Sequence, residues 1–263
     1  MYCDPRNPQQ FMNYKLLLLV FLLAEISSGN RATAQRSDDS AKLYEMRTYY
    51  CEPGRLDALL ARFRDHTMKL FEKHGMTNVG YWVPIDNTDN KLVYVLSYPG
   101  DRAYRDKAWK AFGTDPDWKK AQGDSEKDGK IVKRVENMFM HETDFSFPMK
   151  VTGPANDRIF ELRTYYTNPG MLPELLARFR NHTTALFAKQ GMTNLNYWLP
   201  DEVENRLVYM LAHPSLDDAK KAFDAFRADP DWIKARDYSE RNGKLVEKVE
   251  STYLKATDFS PIR

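Results

Sequence analysis

Two stretches set a carboxylate, a guanidinium and a phenol at alternate positions: Glu45, Arg47 and Tyr49, then Glu161, Arg163 and Tyr165. Alternate residues of an extended chain share one face, so each triplet is a polar stripe on a strand. An arginine there could clamp a ligand carboxylate, and a glutamate could act as a base if desolvation raised its pKa. The same pair could instead be an ion pair that satisfies a sheet interface. Trp82 and Tyr94 recur as Trp198 and Tyr209. They could form a stacking wall for an apolar ligand, or pack a core. His66 and His182 each precede a threonine at matching places. Each reads as a site histidine or as a boundary residue hydrogen-bonded across a helix–strand interface. His74, His141 and His213 have no matching partner and no metal-ligand spacing. The chain has no Gly-x-Gly-x-x-Gly, Walker loop, Gly-x-Ser-x-Gly, His-Glu-x-x-His or Cys-x-x-Cys. Hydrolase, kinase and nicotinamide chemistry therefore lack support, and no metal or cofactor is expected.

The elements that must position these residues occur twice. Tyr44 to Tyr50 returns as Phe160 to Tyr166, Leu59 to Arg64 returns unchanged as Leu175 to Arg180, and Gly75-Met76-Thr77-Asn78 matches Gly191 to Asn194. Asp115-Pro116-Asp117-Trp118 matches Asp229 to Trp232, and Thr143-Asp144-Phe145-Ser146 matches Thr257 to Ser260. Matches this dense and in register indicate duplication. In one copy, Leu43 to Cys51 reads as a strand ended by Pro53-Gly54. Leu56, Leu59, Leu60, Phe63, Thr67, Leu70 and Phe71 recur at helical spacing up to Gly75. Val79 to Ile85 and Leu92 to Tyr98 read as a hairpin around a polar turn. Asp101 to Phe112 reads as a helix that restarts at Asp115-Pro116, an N-cap followed by a proline in the first turn. Lys130 to Met140 reads as the last strand.

That order is α+β, the ferredoxin-like βαββαβ pattern, with both helices on one face of a four-stranded sheet. Repeat 1 is expected at 43–148, a linker at 149–157 and repeat 2 at 158–263. Tyr44, Met46 and Thr48 are expected to face the helices. Glu45, Arg47 and Tyr49, with Trp82 and Tyr94, are expected on the open face. A bare face of that kind would be a large apolar patch. Two copies can cover it by packing sheet to sheet, as an intrachain α+β barrel with a partly polar lumen.

The first residues do not belong to this module. Lys15 precedes the apolar run Leu16 to Ala24, too short for a bilayer span of about 20 residues. With Ala32-Thr33-Ala34 it reads as a signal peptide over 1–34, cleaved near Ala34, and 35–42 reads as a flexible start. The expected location is secreted or periplasmic, with no stable membrane insertion after cleavage. Cleavage would remove Cys3 and leave Cys51, whose counterpart is Thr167, so a buried or edge-strand thiol is expected rather than a catalytic one. The formal charge is +2, and basic and acidic residues are interleaved. No nucleic-acid partner is expected.

The Glu-x-Arg-Thr-Tyr strand, the Pro-Gly before the first helix, the helical His-Thr, Gly-Met-x-Asn-x-x-Tyr-Trp, Asp-Pro-Asp-Trp and the closing Thr-Asp-Phe-Ser together resemble the NIPSNAP family, over essentially the whole mature chain. The resemblance implies the dimeric α+β barrel superfamily, and it implies no particular activity. Eukaryotic members are linked to mitochondria and vesicle traffic, a setting from which the leader departs. Some families of that superfamily use haem, which a ligating His66 or His182 would serve. The expected function is small-ligand binding in the lumen between the repeats. The alternative is a cofactor-independent oxygenase or isomerase. Either a monomer or a homo-oligomer fits.

Overall fold

The computed structural model describes residues 42–151 and 158–263. The leader, its cleavage signal and most of the linker lie outside the described residues. The first half runs β1 (Leu43–Cys51), α1 (Leu56–Arg62), a π-turn (Phe63–Thr67), α2 (Met68–Lys73), β2 (Thr77–Pro84), β3 (Lys91–Tyr98), α3 (Arg102–Thr114), α4 (Pro116–Ser125) and β4 (Val132–Glu142). The second half repeats that order: β5 (Ile159–Thr167), α5 (Leu172–Arg178), a π-turn (Phe179–Thr183), α6 (Thr184–Lys189), β6 (Thr193–Pro200), β7 (Arg206–His213), α7 (Leu216–Ala228), α8 (Pro230–Ser239) and β8 (Val246–Ala256).

Local chemistry sets the breaks. The Asp115 and Asp229 carboxylates accept from the backbone N–H groups of Asp117 at 2.8 Å and Asp231 at 3.0 Å, capping α4 and α8 just before their prolines. Gly75 leaves α2 at φ +76°, which a side chain rarely adopts.

The eight strands form one closed antiparallel barrel in the order β1-β3-β2-β8-β5-β7-β6-β4. The halves therefore meet edge to edge as well as face to face. At one seam Trp82 of β2 lies opposite Ala256 of β8, and at the other Met140 of β4 lies opposite Pro200 of β6. The segment after each last strand clasps the other half. Thr143 N–H donates to the Tyr197 carbonyl at 2.9 Å, and Thr257 N–H to that of Tyr81 at 3.0 Å. Ser146 Oγ accepts from Tyr197 N–H, and Ser260 Oγ from Tyr81 N–H. Arg180 grips Asp144 with two bonds of 2.6 and 2.7 Å, and Arg64 reaches Asp258. The repeated Thr-Asp-Phe-Ser is thus a reciprocal buckle.

The facing of the strands is the reverse of the expectation. The barrel interior is filled by Tyr44, Met46, Trp82, Val93, Val95 and Met140 from the first half and by Phe160, Trp198, Val208, Met210 and Leu254 from the second, all buried. Glu45, Arg47, Tyr49 and Tyr94 lie on the outer face, beneath the helices, and so do Glu161, Arg163, Tyr165 and Tyr209. Trp82 and Trp198 alone of the expected wall face inward. Register explains the split: Tyr94 pairs with Arg47 and Tyr81, whereas Trp82 pairs with Val93, which pairs with Thr48. Both faces of β1 and of β5 are covered, so alternation along them cannot say which one is the interior. The interior takes mostly apolar side chains, with the Trp82 and Trp198 indole N–H groups buried there without a partner, and the helix side offers partners to the ion pairs.

Candidate functional site

In the first half the Glu45 carboxylate is fully buried and saturated. Arg47 Nη1 donates to it, Arg105 of α3 donates from Nε at 2.9 Å and Nη2 at 2.6 Å, and the Tyr98 hydroxyl donates at 2.6 Å. Arg47 also donates from Nε to the Tyr94 hydroxyl at 3.0 Å, and its guanidinium lies over the Trp109 ring. Trp109 in turn donates to Tyr98. Burial alone would raise the Glu45 carboxyl, but the Arg105 hydrogen bond and the Arg47 charge outweigh it and hold it below its ordinary range. A carboxylate held this way is a weak base. This cluster ties α3 to the sheet.

The second half keeps the core pair and changes its surroundings. Arg163 again donates to a fully buried Glu161. The other partners are His213 Nε2 at 3.0 Å and the Ser251 hydroxyl at 2.6 Å. His213 is only 1% exposed. Burial would raise Glu161, but the His213 hydrogen bond and the Arg163 charge bring it below its ordinary range. Arg163 and the buried Tyr209 hydroxyl both have Tyr165 as a hydrogen-bonding neighbour. His213 had no repeat match and no metal spacing to mark it. Its position, four residues after Tyr209 at the end of a strand, was the one available signal.

His66 and His182 sit in the two π-turns. Among the described residues, no hydrogen bond ties either ring to a strand, so the boundary role is not realised. Both are exposed in matching grooves between helices. The first groove, about 740 Å³, is lined by His66 with Asp65, Lys69, Lys73, Asp117, Lys120 and Asp124 around Leu70 and Ala121. That charged lining is a poor slot for a flat apolar macrocycle. Cys51 is buried as expected, and burial pushes its thiol up to about 11. Among the described residues no group of three or more His, Cys, Asp or Glu side chains is placed to hold a metal ion.

A cavity of about 520 Å³ opens at one mouth of the barrel, where the two buckle segments meet. Tyr44, Asn196, Glu142 and Ser146 give it polar groups, Val79, Met149 and Ile262 apolar ones, and Lys42 a cation. Asn196 Nδ2 donates to Glu142 Oε1 and more weakly to Ser146 Oγ. Its Oδ1 is buried and has no partner, although the residue is only 1% exposed. Burial and the Glu142 carboxylate push the Tyr44 phenol far above its ordinary range, so it remains a neutral donor. The first half has Gly80 at the position of Asn196, with the Trp82 ring lying against it and leaving no room for a Cβ. The mouth site is therefore built once, not twice. It was not foreseen, because Asn196 departs from the repeat and Glu142 and Ser146 reach it only through the buckle.

The NIPSNAP family model matches residues 44–147 and again 160–261. The chain belongs to the NIPSNAP family. It carries two tandem NIPSNAP domains, so that each half described above is one domain. A curated relative, Protein NipSnap homolog 3B of Mus musculus, is 22% identical over 238 residues, covering 88% of this chain and 90% of the mouse protein. Among solved structures, a putative monooxygenase from Fusobacterium nucleatum covers 82% of this chain and 92% of its own at 10% identity, with a TM-score of 0.54. A protein described as anthrone oxidase-like has the same coverages at 12% identity, with a TM-score of 0.50. At such identities the likeness shows the fold, an α+β barrel, and nothing of the chemistry.

Proposed function

We propose that this NIPSNAP protein binds a small polar ligand at the mouth of the barrel formed by its two ferredoxin-like repeats, rather than in the barrel centre, which side chains occupy. The observation that carries this reading is the buried, unpartnered Asn196 Oδ1 on a cavity of about 520 Å³. An acceptor left without a partner inside a protein costs about 1–3 kcal/mol, and a bound donor would recover that. The ligand accordingly carries a hydroxyl, amide or amine N–H for Asn196. It rests an apolar part on Val79 and Ile262. Glu142 and Lys42 at the rim admit either sign of charge. The oxygenase alternative reaches this chain only through the names of fold neighbours, and the isomerase alternative through fold analogy alone, so binding is the better supported reading.

Native mass spectrometry of the protein purified from its own compartment tests this. A small molecule should co-purify at one per chain and be lost from Asn196→Ala, with the fold intact by circular dichroism. A chain that emerges bare, or a molecule that Asn196→Ala retains, sinks the reading. Export belongs to the same proposal. Lys15, the Leu16 to Ala24 run and Ala32-Thr33-Ala34 support it, and N-terminal sequencing of the mature protein should begin near Gln35.

A further inference from the structure

Both domains contribute to the barrel mouth, but three of its polar groups stand where the repeats differ. Tyr44 pairs with Met140 as Phe160 pairs with Leu254. Glu142 pairs with Trp198 as Ala256 pairs with Trp82. Asn196 has Gly80 as its counterpart. Positions filled by Phe160, Ala256 and Gly80 in one set thus carry a phenol, a carboxylate and a carboxamide in the other. Those three polar groups converge on the cavity of about 520 Å³.

The charges of that cavity are set out in an unusual way. Glu142 is exposed, and the groups that hold it, the Asn196 amide and the Tyr44 phenol, are both neutral. Continued two residues past Tyr44 and Met140, the register of β1 and β4 sets Lys42 opposite Glu142. Residues so placed on antiparallel strands have Cβ atoms about 4.5–5.5 Å apart. Lys42 is exposed and lines the same cavity. Among the described residues, however, its ammonium group makes no ion pair with Glu142 or with any other acid. One wall of the cavity therefore shows a cation and an anion side by side, neither neutralised by the other. A ligand with a single charge would meet a like charge on that wall as well as its opposite. A ligand that carries both charges one carbon apart would meet an opposite charge twice. Val79, Met149 and Ile262 offer apolar surface beside the pair.

We propose, building on the mouth-binding reading above, that the ligand is a free α-amino acid with an aliphatic side chain, its ammonium group on Glu142 and Asn196 and its carboxylate on Lys42. Tyr44 is a positioning residue that steadies Glu142. The side chain lies on Val79 and Ile262.

Calorimetric titration of the full mature chain with L-leucine tests it, alongside two analogues. Isopentylamine is leucine without its carboxylate, and 4-methylpentanoate is leucine without its ammonium group. One leucine should bind per chain with about millimolar affinity or better, and each analogue at least about fivefold more weakly. Lys42→Met should weaken leucine about fivefold and strengthen isopentylamine, because it removes a like charge. Glu142→Gln should weaken leucine and strengthen 4-methylpentanoate. Both residues are exposed, so both variants should keep the melting transition. A merely structural loss would not move two ligands in opposite directions. The proposal is overturned if folded protein takes up no leucine, if either analogue binds as tightly as leucine, or if Lys42→Met leaves leucine binding unchanged. An analogue that binds as tightly as leucine and is lost from Asn196→Ala overturns the amino-acid assignment and leaves the mouth site standing. Leucine that Asn196→Ala retains at full affinity overturns both.

Discussion

Glu45 and Glu161 are the most consequential side chains of the sheet, because each is a fully buried carboxylate held by an arginine: Arg47 and Arg105 on Glu45, Arg163 on Glu161. Removing one partner of a buried ion pair leaves the other charge uncompensated, at a cost of about 3–5 kcal/mol. Glu45→Gln strands both Arg47 and Arg105, so urea denaturation should show a loss of that order. A loss under 1 kcal/mol would mean that the cluster is well solvated. Acidity acts on the same groups. Both carboxyls are held below their ordinary range in the folded state, so they contribute stability above the unfolded value of about 4.3. That contribution falls away as pH drops through the lower folded values. Midpoints in urea should hold from pH 7 to 5 and then decline, less steeply in the Glu45→Gln variant. At Cys51, a buried thiol pushed up to about 11 should react with a disulfide reagent only after unfolding. The identities of these residues were legible from the duplication, but their facing was not. The alternation Tyr44-Glu45-Met46-Arg47 marks two sets, and both sets are buried in a barrel jacketed by helices.

Strands, caps and the β2–β3 hairpin stand close to where the residues imply, because each is written locally in Pro-Gly, Asp-Pro or a polar turn. The first helix is the exception. It reads as one continuous apolar stripe, but the structure breaks it at Phe63–Thr67 and Phe179–Thr183 with a π-turn. A π-turn accommodates one extra residue per turn, so the apolar spacing on either side still looks helical. It is held by Thr67, whose hydroxyl donates to the Arg62 carbonyl at 3.1 Å, and by Thr183, which donates to that of Arg178 at 3.3 Å. Both threonines are buried. This assigns the repeated His-Thr differently: the threonine shapes the helix, and the histidine is left facing solvent. Thr67→Val keeps the shape of the side chain and removes only the donor. It should cost about 1 kcal/mol by thermal or chemical denaturation, the usual net worth of one hydrogen bond. No measurable cost would mean that the π-turn stands without it.

At the scale of the whole molecule, duplication supplies more than a cover for one sheet. Each domain contributes an edge strand to both seams and a buckle to its partner, so the barrel closes only when two copies are present. The face that a lone first domain would expose includes Tyr44, Met46, Trp82, Val95 and Met140. Apolar area of that kind is worth about 25 cal/mol per Å² once removed from water. The unpaired β2 and β4 edges add open backbone donors and acceptors. A fragment spanning 42–151 is therefore expected not to persist as a folded monomer. Its β2 and β4 carry the edges that β8 and β6 complement in the full chain, and its own residues from Thr143 to Ser146 can buckle a second copy as they buckle the second domain. Sedimentation at micromolar concentration should find a homodimer, and its melting should depend on concentration, as linkage requires of folding coupled to association. Asp144→Ala removes the acid that Arg180 grips and should shift the dimer toward monomer less than Trp82→Ala does, because an exposed ion pair is worth about 0–1 kcal/mol and a buried tryptophan about 3–5 kcal/mol. A fragment that stays monomeric with native circular dichroism would show that the second copy is kept for its ligand chemistry alone, and not for closing the barrel.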